Sequence, residues 1–461
     1  MHTLNKKDII KWLIVIGFPV IMLLIPTSET YTPTIKIFMA ATICAIAIWA
    51  TEVMDFMIPA LVLPAVYIIG GVATSAQVFS SWASSTVWVI FGGMLLCVVF
   101  EEVGFMKRLA YWCIIKAGCS YRGILIGLTV VGFLLALLIP TVSGRVALYA
   151  VLTYGLCKAL DLKPESNVAA GIMIGGFFAA SYTAYLFPTG SNITLIGLNS
   201  LSEYGFDVTF GQYMLHNAPI TIIGCLLMAL GLSFVLPKDQ EIKGKEFFVE
   251  QYKALGQVSI KEKKFVVILA IAVLLLATNS IHHIDAAWIF IIASAICFIP
   301  SLDIADSKCM RRINYSMLVF IAACMSIGSC AKICGASNLV SSLIGPFLTA
   351  GGEVYTISIV WVASFILNLL MTPMAAISSM TNPFIEIALS AGINPIPVVY
   401  TFVQGLDQFI FPYEVAPALL MFAYGMMNMK QFMSTFAIKA IFNIIFILVL
   451  AIPYWNLVGL L

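Results

Sequence analysis

Apolar runs of about 20 residues recur along the whole chain, separated by short polar breaks, and each run is long enough to cross a hydrocarbon core as a helix. The breaks delimit about eleven spans, at 11–26, 36–52, 54–72, 84–101, 166–187, 213–236, 264–280, 284–300, 314–331, 395–411 and 432–457. Two further pairs of apolar segments, 123–160 and 354–391, do not fit as ordinary crossings. The pattern predicts an all-α polytopic membrane protein with no long soluble domain. The segment from Trp12 to Pro26 follows Lys6, Lys7 and Lys11 as a signal peptide would. No convincing small-residue cleavage site follows it and further spans begin almost at once, so it reads as a retained helix.

Charge sets the topology, because Lys and Arg accumulate on the cytoplasmic side. The basic clusters are Lys6/Lys7/Lys11, Lys107/Arg108/Lys116/Arg122, the 238–264 loop with Lys238, Lys243, Lys245, Lys253, Lys261, Lys263 and Lys264, and Lys308/Arg311/Arg312. They all fall on one face if the first odd pair is a re-entrant hairpin. Counted as one crossing, that pair would put the later clusters outside. The second pair, with few charges after it, reads as a hairpin by analogy. The expectation is an inner-membrane protein with its N-terminus in the cytoplasm and its C-terminus outside.

The chain also repeats itself. Trp88-Val89-Ile90-Phe91 opens a helix ending at Glu101-Glu102-Val103-Gly104, and Leu318-Val319-Phe320 opens one ending at Lys332-Ile333-Cys334-Gly335. Each is followed by an amphipathic stretch, a hairpin, and a helix broken near its middle by Pro188 or Pro412. A slide of 229 residues overlays Phe91 on Phe320 and Ser143-Gly144-Arg145 on Thr372-Pro373-Met374. An odd number of crossings between the copies makes the repeat inverted, an architecture of secondary transporters whose broken helices meet at the midplane.

Composition agrees and excludes other classes. Of 461 residues, 61% are hydrophobic and 10% charged, with a mean hydropathy of +1.04. A soluble domain carries about a quarter charged residues. The net charge of +2 and the lack of a basic stripe exclude a nucleic-acid partner. The eleven cysteines lie mostly inside apolar segments as small hydrophobes, and no disulfide is expected. Cys330 and Cys334 are a turn apart, with no second pair or nearby histidine to complete a metal site.

Several motifs point to a family. Trp49, Thr51 and Glu52 resemble the W-x-T-E signature of the divalent anion/sodium symporter family, whose members include dicarboxylate and citrate carriers. The stretch from Phe91-Gly92-Gly93 to Glu101, Gly104 and Arg108 resembles its F-x-x-G-G…E-x-x-G…R segment. His282-His283-Ile284-Asp285 resembles its L-H-G-I-D turn, and Gly392-Ile393-Asn394-Pro395 the segment after its second hairpin. The resemblance covers about residues 35–457. It implies a homodimer in which a transport domain, carrying both hairpins and both broken helices, slides as an elevator against a scaffold. The chain then divides into N-terminal helices and a scaffold part (1–83), a first repeat (84–236, with hairpin 122–163 and broken helix 166–202), a cytoplasmic loop (237–264), connecting helices (265–313), and a second repeat (314–461, with hairpin 353–391 and broken helix 395–427).

The sequence departs from the family at the positions that matter most. Thr189-Gly190-Ser191-Asn192 stands where relatives read T-P-P-N, and Val415-Ala416-Pro417-Ala418 has lost the Thr and Asn of the second break. The family's Ser-Asn-Thr hairpin tips, which bind substrate carboxylate and support sodium sites, are replaced by Ser143-Gly144-Arg145 and Thr372-Pro373-Met374. Ser378, Ser379, Thr381 and Asn382 further along the second arm leave a shifted register open.

Broken helices offer free backbone N–H groups and positive dipole ends to a midplane anion. Gly144 and Gly190 permit close backbone approach, while Ser143, Thr189, Ser191, Asn192, Thr372, Thr381 and Asn382 supply hydroxyl and amide partners beside Pro373. The plainer alternative is packing between helices. Arg145 is the most informative residue, since a charge in lipid costs about 3 kcal/mol unless paired or hydrated. Its guanidinium suits a carboxylate or sulfonate, or replaces a bound cation. The alternative is a shallow tip from which Arg145 snorkels to the cytoplasmic surface. Glu414, with Asp407 about two turns earlier, either pairs with Arg145, carries a coupling proton, or caps the second half-helix. Glu52, Asp55, Glu101 and Glu102 read as interfacial.

The expected function is secondary active transport of a small organic anion, a di- or tricarboxylate by resemblance, with coupling by proton or exchange favoured over sodium. No cofactor is expected, and sodium stays open as a coupling ion. The alternative is a sodium-coupled symporter for sulfate or another divalent anion. A membrane enzyme is disfavoured because His2, His216, His282 and His283 all lie at span edges and no H-E-x-x-H motif exists. A channel would lack saturable counterflow.

Overall fold

Gly104 and Gly335 end two long apolar helices in the same way. Each adopts the left-handed conformation, at φ of 73° and 82°, and donates its amide to the carbonyl of Glu101 or Lys332. Such a φ suits glycine, which has no Cβ to clash. The chain then turns directly into a short helix, Phe105–Ala117 in the first case and Ala336–Leu348 in the second. The computed structural model describes residues 6–51 and 53–461; Glu52 and His2 lie outside the described residues.

From these two glycines the repeat runs in parallel. Helices Ser85–Val103, Phe105–Ala117, Tyr121–Leu138 and Val142–Ala159 are matched by Tyr315–Cys334, Ala336–Leu348, Gly352–Leu370 and Pro373–Ser390. Asn167–Ser181 and Asn192–Glu203 form the first broken helix, and Pro395–Leu406 and Ala416–Phe422 the second. Helices Phe210–Val235 and Met429–Phe446 close the two units. The step from Gly104 to Gly335 is 231 residues, and the hairpin arms keep it. This corrects the 229-residue register read from matching aromatic residues. The glycine caps fix where each helix stops, whereas Phe91 and Phe320 occur at different depths of their helices. Thr372 therefore corresponds to Thr141, and Ser143-Gly144-Arg145 to Met374-Ala375-Ala376.

Among the described residues no strand is present, and eight helices are long and apolar enough to cross a membrane. They include Tyr121–Leu138 and Gly352–Leu370, the first arms of the two hairpin segments, so length alone does not make these arms re-entrant. Ile260–Ala277 and Ala286–Cys297 follow the loop as anticipated. Asp285 caps the latter through a bond from the Ala287 amide (2.8 Å), which explains the His-His-Ile-Asp turn.

The two units interlock reciprocally. The half-helix after the first break packs on the second hairpin, and the half-helix after the second break packs on the first hairpin. Gly197 also brings the first of these half-helices close to Pro395–Leu406: a Cβ there would lie 2.9 Å from Val399, and 3.8 Å from Ile377 on the second hairpin. On the other side Thr153 touches Met421, and Tyr154 meets Tyr424 with ring centroids 4.8 Å apart.

Charge holds the basic end together. Arg108, on the short helix after Gly104, pairs with Glu262 at 2.9 Å and donates to the carbonyls of Leu255, Gly256 and Gln257. Those carbonyls finish helix Lys245–Ala254 and the turn after it. Burial alone would push the Glu262 carboxyl up, but bonds from Arg108 and Ser259 outweigh it and hold it below the usual range. Arg312 bridges Glu101 and Glu102, and Asp55 caps through the Met57 amide, in line with interfacial roles for those acids.

Candidate substrate and coupling site

The first break is a place where backbone groups lose their helical partners. Helix Asn167–Ser181 tightens into a 3-10 turn at Tyr182–Leu186, and a second turn, Pro188–Gly190, precedes Ser191 at the cap of the next half-helix. Gly190 is required here, because a Cβ would sit 2.1 Å from the Ala184 carbonyl oxygen. Ser191 and Asn192 both accept from the Ile193 amide, at 3.3 and 3.2 Å. Asn192 Nδ2 reaches Met374 Sδ (3.5 Å) at the second hairpin, while the buried Thr189 hydroxyl has no hydrogen-bond partner.

Arg145 lies beneath the surface, fully buried. Its Nε donates to the Ala180 carbonyl at 2.8 Å and its Nη1 to the Ile139 carbonyl at 2.5 Å. One is the end of the first half-helix and the other the hairpin tip, so the guanidinium ties them together. Nη2 has no hydrogen-bond partner. Complete burial overturns snorkelling to the cytoplasmic surface. The tip itself is pressed on the helix that opens the repeat: a Cβ at Gly93 would lie 1.9 Å from Pro140, and one at Gly144 would lie 3.1 Å from Cys97 Sγ. Ser143 points to the exposed side.

The pairing of Glu414 with Arg145 is not formed. Glu414 Oε1 accepts from the amides of Phe411 (2.8 Å) and Ile410 (3.2 Å), so it caps its own turn at the second break. Two adjacent amides are nearer at hand than a guanidinium on another helix. Asp407 sits instead at the C-terminal end of Pro395–Leu406 and binds Lys439. Lys439 Nζ contacts Asp407 Oδ2 at 2.8 Å and the Asp407 carbonyl at 2.6 Å. Its side chain is 1% exposed and lies near the rings of Phe178, Phe409 and Phe436.

Lys439 was missed in the sequence, although a lone lysine inside a long apolar helix is itself a signal. Four residues on, and so on the same helix face, Asn443 accepts from Trp361 Nε1 (2.7 Å) and donates to the Tyr182 hydroxyl (3.2 Å). Asn368 adds a bond to the Gln408 carbonyl at 2.8 Å, joining the second hairpin to the second break.

The remaining candidates separate. Thr372 caps the second arm through the Ala375 amide (3.3 Å), with Pro373 at the first helical position. Thr381 and Asn382 lie two turns and more along that arm. Thr381 bonds back to the Ile377 carbonyl, and Asn382 Nδ2 donates to the Gly328 carbonyl at 2.7 Å. Thr381 thus bonds within its own arm and Asn382 joins two helices, and a shifted tip register that would bring them to the end of the arm is not adopted.

The geometry therefore carries a cation at the C-terminal end of each interrupted half-helix, and helix N-termini on the other side of each break. Comparison with known proteins identifies the system. Residues 6–461 match the family described as the sodium:sulfate symporter transmembrane region. The chain belongs to this family. It is a multi-pass membrane transporter and not an enzyme. It is 23% identical over 469 residues to a membrane protein of Cupriavidus necator, covering 95% of this chain and 91% of that protein. It is 21% identical over 400 residues to the citrate/succinate antiporter of Escherichia coli, covering 83% and 80%. It is likewise 21% identical over 441 residues to the sodium-dependent dicarboxylate transporter SdcS of Staphylococcus saprophyticus, covering 86% and 81%.

Proposed function

We propose that the protein is an elevator-type carrier exchanging small di- or tricarboxylates across the inner membrane, coupled to counter-substrate or protons rather than sodium. The observation that carries this reading is the pair of buried cations. Broken transporter helices commonly hold coupling cations on unwound carbonyls and half-helix C-termini. Here the carbonyls of Ile139 and Ala180 are occupied by Arg145, and that of Asp407 by Lys439. With Asp407 as the counter-charge, the set Arg145, Lys439 and Asp407 carries one net positive charge, which suits an anion. Half-helix amides at Ser191–Asn192 and at Val415–Ala416, with the hydroxyls of Thr189 and Thr372, provide the carboxylate donors, and Pro373 opens the second arm without an N–H of its own. The citrate/succinate antiporter among the relatives supports the substrate class.

The second reading is sodium-coupled symport of sulfate or a dicarboxylate, favoured by the family description and by the sodium-dependent relative. Thermal stability of the purified protein against succinate, citrate, sulfate and phosphate, each with and without sodium, separates the two. Stabilisation by a carboxylate, indifferent to sodium and lost in Arg145→Ala, is expected. Stabilisation that requires sodium and survives Arg145→Ala would restore the second reading. The proposed homodimer and the cytoplasmic N-terminus are checked by mass in detergent and by labelling of introduced cysteines.

A further inference from the structure

Helix Asn192–Glu203, the second half of the first broken helix, ends against two elements that are neither hairpin nor broken helix. One is the turn that leads into Ser85–Val103, and the other is the C-terminal end of Tyr315–Cys334. The Ser84 hydroxyl donates to Asn199 Oδ1 (3.1 Å), and Asn199 Nδ2 donates to Glu203 Oε1 (3.1 Å). The Ser329 hydroxyl donates to the same carboxylate oxygen (3.3 Å) and lies 3.2 Å from that of Ser81. Lys332 closes the seam: its Nζ donates to the Glu203 carbonyl at 2.5 Å and stands 3.8 Å from the centre of the Tyr204 ring. The Tyr204 hydroxyl donates in turn to Glu386 on the second hairpin, at 2.7 Å.

The last carbonyls of a helix lack partners within it and form its negative end, so a cation placed there is stabilising. The face of an aromatic ring adds to the attraction. Here the cation comes from a different helix and ties the two ends together. Tyr315–Cys334 has 20 residues and is roughly 30 Å long, so the seam lies on the opposite side of the protein from the Lys308/Arg311/Arg312 cluster. At the equivalent place in the first repeat, 231 residues earlier, stands Glu101, an acid that turns to Arg312 and cannot donate to a helix end.

The seam is also built to open. Glu203 is exposed, and Ser84, Asn199, Ser329 and Lys332 are half-buried. Water can replace these bonds when the surfaces part, so opening strands no buried group at this end. Deeper along the same helix Gly328 lets the second hairpin come close. A Cβ there would lie 3.1 Å from the Ser378 carbonyl oxygen, and Asn382 donates to the Gly328 carbonyl at 2.7 Å.

We propose that Ser84, Ser329 and Lys332 form a latch that holds the broken helix, through Asn199, Glu203 and Tyr204, in one end-state of the transport cycle. Lys332 releases the Glu203 carbonyl and the Tyr204 ring before the transport domain slides, and water takes up the freed groups. The proposal rests on the elevator-type carrier reading above and names the contacts that gate its movement.

The test uses full-length Ser329→Cys/Glu203→Cys in proteoliposomes with radiolabelled succinate, treated with a short thiol-specific cross-linker that reductant cleaves. Wild type with its eleven native cysteines, and each single variant, supply the background. Cross-linking of the pair, followed by mass spectrometry, is expected to arrest counterflow, and reductant to restore it. A linked pair that still exchanges, or a transporting protein whose pair does not link, would overturn the latch. Should the pair fail to fold, Ser329→Cys with and without Lys332→Met decides by its rate of labelling with a membrane-impermeant maleimide. A severalfold faster rate without Lys332 is expected, and an unchanged rate would overturn the latch. Absence of wild-type counterflow with succinate, citrate and sulfate alike would instead remove the carrier reading, and the latch with it.

Discussion

Replacing Lys439 by methionine removes the partner of a largely buried carboxylate at similar side-chain length. Lys439 Nζ lies 2.8 Å from Asp407 Oδ2 and 2.6 Å from the Asp407 carbonyl, with side-chain exposures of 1% and 17% for the two residues. Removing one member of a buried ion pair costs about 3–5 kcal/mol, because the other charge is left desolvated. With an unfolding entropy that scales with chain length, that corresponds to a fall of roughly 3–5 °C in Tm for a chain of this size. Asp407→Asn alone leaves a buried ammonium and is expected to cost about as much. The double variant Lys439→Met/Asp407→Asn removes both charges and is expected to recover most of the loss, giving a coupling of roughly 2 kcal/mol or more in the cycle. Thermal unfolding in detergent, followed by intrinsic fluorescence, measures all four proteins. Strictly additive single losses, or a Lys439→Met protein as stable as wild type, would refute the pairing as an energetic unit.

Other consequences follow from the same contacts. Arg145→Met frees the carbonyls of Ile139 and Ala180, at about 1–3 kcal/mol for each one left unmet, so sodium is expected to raise the Tm of this variant but not of wild type. Arg108→Ala unpairs Glu262 and uncaps the turn at Leu255–Gln257, with an expected loss of about 2–3 kcal/mol by thermal unfolding. Since the folded state holds the Glu262 carboxyl below its usual range, this contribution is present at neutral pH and is lost as pH falls through the folded value. The Tm difference between wild type and Arg108→Ala should therefore shrink on acidification below the usual carboxylate range. Gly190→Ala puts a Cβ 2.1 Å from the Ala184 carbonyl oxygen, and is expected to abolish transport counterflow while Gly155→Ala, which meets nothing within 4 Å, leaves it intact.

Much of the architecture was legible in hydropathy. Helix limits and the breaks at Pro188 and Pro412 follow from apolar runs and helix breakers, and the family motifs around Gly92-Gly93 and Gly104 match close-packing and left-handed positions. Repeat register was harder, because Phe91 and Phe320 are interchangeable lipid- or core-facing residues while the turn glycines fix geometry. The site was legible in part. Arg145 stood out as a charge in an apolar segment, but what it binds are main-chain carbonyls, which leave no trace in side-chain identity. Lys439 carried the same signal and was masked by the long apolar helix around it. Glu414 was left open between pairing with Arg145, a coupling proton and a cap; it caps, because an acid beside a proline-initiated turn meets backbone amides locally. Of Thr381 and Asn382, polar residues in an apolar arm, Asn382 joins two helices and Thr381 bonds back to its own.

The central claim is that Arg145 and Lys439 take the place of coupling sodium. Succinate counterflow in proteoliposomes, measured with sodium and with choline in its place on both sides, tests it most directly. Equal rates in the two salts are the expected result. Counterflow that vanishes without sodium would contradict it.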